Sequence, residues 1–70
     1  MNIACADETV VAAVRAVLLE YGIVQVRQQG PNFGDPMIWV LANVHVSIGI
    51  DKERTVRRVI AQIGGATLYS

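Results

Sequence analysis

The sequence predicts an α+β domain in which a four-stranded antiparallel sheet carries two helices on one face, in the order strand–helix–strand–strand–helix–strand. Three observations carry this reading. Residues 37–50 alternate along their length, with Ile38, Val40, Ala42, Val44, Val46, Ile48 and Ile50 on one side and no polar residue among them. Residues 8–21 place Val10, Val14, Val17, Leu18 and Tyr21 on one stripe of a helix. Val56, Val59, Ile60 and Ile63 repeat that spacing shortly before Gly64-Gly65. At 70 residues the chain is one domain, 1–70.

The elements follow in order. Met1 to Ala6 is a short apolar segment suited to a central first strand, with Cys5 as a core residue. Asp7 is a good N-cap, and Glu8 favours the positive end of the helix behind it. On that helix Glu8, Ala12, Arg15 and Leu19 lie on a different side from the core stripe, and Leu19 is expected to be exposed. Gly22 suits the left-handed position that closes a helix. Ile23 to Gln29 alternates again, with Val24 and Val26 facing inward and Gln25, Arg27 and Gln29 outward, as in a half-buried strand. Gly30-Pro31-Asn32-Phe33-Gly34-Asp35-Pro36 is the most turn-rich stretch and reads as a hairpin loop with Phe33 at its tip, where the ring is expected to fold back onto the sheet or, failing that, to present itself to a partner.

Residues 37–50 read as one long strand, and any bend in it falls near Ala42-Asn43. Its even positions form the core face. Its odd positions begin apolar, with Met37, Trp39 and Leu41, and end polar, with Asn43, His45, Ser47 and Gly49. Such a strand would extend over roughly 40 to 46 Å, about twice the length of its hairpin partner. Part of it would then pair elsewhere: with the first strand, a second copy or a binding partner. Asp51 is expected to cap the second helix, Gly64-Gly65 to stop it, and residues 66–70 to form a short last strand.

This order is that of the split βαβ, ferredoxin-like arrangement. The chain resembles ACT-type regulatory domains in three features: a short first strand ending at Asp7, a helix closing on Tyr21-Gly22-Ile23-Val24, and a second helix running through Ile60 and Ile63 into Gly64-Gly65-Ala66. The resemblance covers most of the chain at the level of topology. It implies an amino-acid-binding regulatory domain that pairs through its sheet. ACT-type domains usually carry a glycine where the first strand turns into the first helix, and this chain has Ala6-Asp7-Glu8-Thr9 there. Ser47-Ile48-Gly49-Ile50-Asp51-Lys52, the helix after it and Gly64-Gly65-Ala66-Thr67-Leu68-Tyr69 are similar to the latter half of a KH-type RNA-binding domain. Its phosphate-clamping GXXG loop would fall on Gly49-Ile50-Asp51-Lys52, where the second glycine is absent.

Composition narrows the function. The chain is 53% hydrophobic and 17% charged, against about 25% charged in an ordinary domain. A domain this small hides only about 60% of its unfolded surface, so part of the apolar material is expected at an interface. Zero net charge gives no global pull toward nucleic acid or anionic membrane. One cysteine leaves no internal disulfide. No basic n-region precedes an apolar run, and the longest uncharged stretch is too short to span a bilayer, so a cytoplasmic location is expected.

Groups that do chemistry are scarce. One histidine, one cysteine and scattered carboxylates match no metal-ligand spacing. The loop at 30–34 lacks the lysine and the following helix of a phosphate loop. The expectation is a protein that is not an enzyme and carries no cofactor. Two surfaces remain. Met37, Trp39 and Leu41, with Phe33, would form an apolar patch on the open side of the sheet. Lys52, Arg54, Arg57 and Arg58 would form a basic patch, diluted by Asp51 and Glu53. The leading expectation is a small protein-protein interaction module, a homodimer or an inhibitor or adaptor, in the size class of phage and mobile-element regulators, whose partner is itself or a larger protein. The first alternative is the ACT-like sensor. The second is a nucleic-acid-binding module using the basic helix, disfavoured by the acidic residues at the helix start.

Overall fold

A computed structural model describes residues 1–69; of the last strand expected from the sequence, Ser70 lies outside the described residues. The elements are β1 (Asn2–Cys5), α1 (Glu8–Glu20), β2 (Val26–Gln29), β3 (Ile38–Ala42), α2 (Val44–Ala61) and β4 (Ala66–Tyr69). The four strands form one antiparallel sheet in the order β2-β3-β1-β4. This is the ferredoxin-like α+β fold. Helix α1 packs on β1 and β3, α2 packs on β4, and the helices touch each other.

The first half of the chain follows from its local chemistry. Asp7 is extended, and its carboxylate accepts the Val10 amide at 3.0 Å, which caps α1. Val11, Val14 and Leu18 are buried, with Val10, Val17 and Tyr21 half-buried beside them. At the other end the Gly22 and Ile23 amides bond the Leu19 and Leu18 carbonyls, both at 2.9 Å, with Gly22 in the left-handed region. Ile23 then turns into the core.

The core is wholly apolar. Ile3 and Cys5 of β1, Ile38, Val40 and Ala42 of β3, the α1 stripe, and Val44, Val56 and Ile60 of α2 form one buried cluster. No polar or charged residue is buried among the described residues. Each buried aliphatic side chain of this size contributes about 1.5–3 kcal/mol, so this cluster is the main source of stability.

The long strand expected over 37–50 is not formed. The chain leaves the sheet at Ala42, and residues 44–48 are helical. The cause is the supply of partners. On one side of β3, Met1 and Ala42 exchange both backbone hydrogen bonds, at 2.8 and 3.0 Å. On its other side, Val26 opposite Ala42 is the first residue of β2. Beyond Ala42 neither neighbour offers a strand, so the backbone satisfies its own hydrogen bonds as a helix. Val44 keeps its inward position, but Val46 is 75% exposed and Ile50 54%. The strand expected from Ile23 accordingly begins only at Val26, and Val24, expected to face inward, is exposed. The remedy for an overlong strand, pairing through its own edge, is therefore unnecessary: β3 lies between β2 and β1 and has no free edge.

The cap expected at Asp51 is also displaced. The helix starts at Asn43, then breaks at Gly49, whose φ of 83° and ψ of 169° lie in a region essentially restricted to glycine. Asp51 sits in the first turn after the break, where its charge favours the helix N-terminus. Val56 and Ile60 are buried as expected, with Val59 and Ile63 half-buried.

Candidate interaction surface

The sheet register assembles the open face residue by residue. Paired residues of antiparallel strands share a face. One row across the sheet is Gln29, Trp39, Ala4 and Thr67; the next is Arg27, Leu41, Asn2 and Tyr69. Ala4 is the small residue at the centre. The Trp39 and Tyr69 rings lean over it from either side and meet at a centroid distance of 5.2 Å, inclined by 56°, a favourable tilted geometry. Ala4 is thereby only 2% exposed although it lies on the side without helices.

Trp39 is held a second time. Its indole Nε1 donates to the Asp35 carboxylate at 3.1 Å, while the other oxygen of that carboxylate accepts the Met37 amide at 3.1 Å. Asp35 also exchanges two backbone hydrogen bonds with Asn32, both at 3.0 Å. The tip between them is Phe33-Gly34, and Phe33 is fully exposed. At the base of the loop, Gly30 has a φ of 90°, and a Cβ there would lie 2.8 Å from the Met37 carbonyl oxygen. Only glycine closes the loop at that approach.

The four residues expected to bind a partner are thus placed in two ways. Met37, Trp39 and Leu41 are half-buried on the open face, and Phe33 projects from the turn that Asp35 ties to Trp39. The residues absent from the sequence reading are Asp35 and Tyr69. An aspartate four residues before a tryptophan gave a local hint for the first. The second depends on the β1–β4 pairing, which no local pattern encodes.

The basic residues do not form one patch. At about 100° per residue, Arg54, Arg57 and Arg58 share a side of α2, while Lys52 lies round from them. Arg57 is 3.9 Å from Glu53, one turn before it, a half-buried pair at long range and of small energetic value. His45 is exposed at the start of α2. Cys5 is buried against the helices; burial, and secondarily the Asp7 charge, raises its thiol pKa above the ordinary value of 9.0, which favours the unreactive thiol form.

Among the described residues no group of three or more histidine, cysteine or acidic side chains could hold a metal ion. Likewise, no helix there is long and apolar enough to cross a membrane. Comparison of the chain with protein families, with curated proteins and with solved structures finds no match.

Proposed function

We propose that this chain is a non-enzymatic protein-protein interaction module of the inhibitor or adaptor type, docking on a larger protein through the β2–β3 turn and the adjoining open face. The observation that carries this is Phe33. It stands fully exposed on a turn closed by two Asn32–Asp35 hydrogen bonds, and the same aspartate anchors that turn to the sheet through Trp39. An exposed aromatic ring costs solvation in the free protein. Held on a rigid turn, it surrenders little conformational entropy on binding, which is the condition for affinity from a small surface. Aromatic residues and methionine are enriched in interfaces, and Met37 and Trp39 lie behind the turn.

The test is affinity capture from a lysate of the source cells with wild-type protein and Phe33→Ala. Since Phe33 supports nothing in the fold, the variant should melt with the parent. A binding protein retained by the wild type and lost by Phe33→Ala, but kept by Thr55→Ala on exposed α2, is the expected result. An identical retained set for the wild type and both variants removes the reading.

A further inference from the structure

The hydrogen-bond parity of the sheet identifies which backbone groups face outward. Met1 and Ala42 exchange both bonds between β1 and β3. Bonded pairs alternate along an antiparallel ladder, so Ala42, Val40 and Ile38 address β1, whereas Leu41 and Trp39 address β2. Their partners there are Arg27 and Gln29. Val26 and Gln28 therefore direct their N–H and C=O groups away from the sheet. The opposite edge is less open: β4 has the Ala66 amide bonded to the Ile63 carbonyl at 3.2 Å, and α2 packs against it.

The β2 edge also has a side-chain receptor. Besides its core stripe, α1 carries Ala12, Arg15, Ala16 and Leu19 at helical spacing on another side. These residues face Val24 and Val26 across a hollow of about 270 Å³. Two alanines on the helix leave room for a neighbouring strand, and Leu19 and Val24 are exposed there. A second hollow, of about 580 Å³, runs from Val24–Arg27 across Leu41 and Ala42 to Met1 and Asn2 at the end of the sheet. The charged side chains lining the two hollows are Arg15 and Arg27; neither hollow has a carboxylate. In a chain of zero net charge, the lining of these hollows is basic, with Glu8 one turn before Ala12 on the same side of α1.

We infer that the β2 edge is a strand-addition site for an extended segment of another protein, one that alternates apolar residues with carboxylates. The added backbone bonds Val26 and Gln28. Its apolar side chains enter the hollow under α1, and its carboxylates, on the opposite face of the added strand, meet Arg27. Charge distinguishes this occupant from a second copy, because the β2 strand of a second copy, Val26-Arg27-Gln28-Gln29, brings another arginine and no carboxylate to the edge. The site is separate from the Phe33 turn and stands independently of the function proposed above.

The probes are two capped octapeptides, one alternating glutamate with valine and one alternating lysine with valine, added to ¹⁵N-labelled protein. The glutamate peptide should shift the Val26 and Gln28 amides saturably and slow their hydrogen exchange, and the lysine peptide should not. Gln28→Pro removes an outward N–H that the fold does not use and is tolerated at a strand edge; it should weaken binding by about tenfold or more. A glutamate peptide N-methylated at alternate residues should lose binding to the unmodified protein, which covers the case in which the proline variant does not fold. Phe33→Ala should bind the peptide as the wild type does. Equal binding of the two peptides, undiminished binding of the methylated one, or no saturable shift at Val26 and Gln28 overturns the inference. So does protection of those amides that rises with protein concentration alone, which is self-pairing, or their stronger response to a single-stranded oligonucleotide.

Discussion

Residues 38–42 and 44–48 lie side by side in the chain with almost the same alternation of β-branched and other side chains, yet the first segment is the centre of a sheet and the second is a turn of helix. Ile38, Val40 and Ala42 are buried between two neighbouring strands and a helix. Of the corresponding Val44, Val46 and Ile48, only Val44 is fully buried. Strand propensity is mostly a statement about fitting a half-buried pleated surface. Where Met1 and Val26 mark the ends of the neighbouring strands, that surface stops, and the same residue types follow the backbone's local demand for hydrogen bonds.

This contrast can be broken most forcefully from its strand side. Ile38→Ala empties a site in the buried cluster opposite Cys5 and should cost about 2–5 kcal/mol, measured as the loss of unfolding free energy in urea. A cost under about 1 kcal/mol would mean that β3 is not the centre of the core. The helical segment is separated from the rest of α2 by Gly49, around which a Cβ would meet nothing within 4 Å. Gly49→Ala should thus act through backbone strain alone, at about 1–3 kcal/mol, and be seen as a lowered melting temperature with unchanged near-ultraviolet circular dichroism. A stabilised variant would show that the helix runs through without the break. Val46→Lys should be the mildest, within about 0.5 kcal/mol of neutral, because the side chain already faces solvent. The same change would be severe in a strand extending to Ile50 with its even face in the core, so this variant separates the two structures most cleanly.

Those outcomes bear on how much of the molecule could be read from residues alone. The α1 cap, its stripe and its Gly22 terminus are encoded within a few positions of one another, and they appear where the pattern puts them. The element order was legible for the same reason. The end of β3 was not, because it depends on where β1 and β2 begin, one of them about forty residues away in the chain. The apolar patch was legible as composition, in Met37, Trp39 and Leu41. Its geometry was not, since Asp35 and Tyr69 reach Trp39 from a loop and from a strand two places across the sheet. Phe33 was placed at the loop tip by its neighbours, since glycine, asparagine and aspartate keep their local steric preferences, but the expected folding of its ring back onto the sheet is not seen: the ring is fully exposed.

The Asp35 clasp has a practical corollary. Trp39 is the molecule's sole tryptophan, and its ring nitrogen is bonded to the same carboxylate that secures the Phe33 turn. Any event that tilts that turn alters the surroundings of the one strongly emitting chromophore. The protein therefore carries an intrinsic optical gauge at the proposed contact point, and occupancy of the turn would be followed by emission wavelength without attaching a dye.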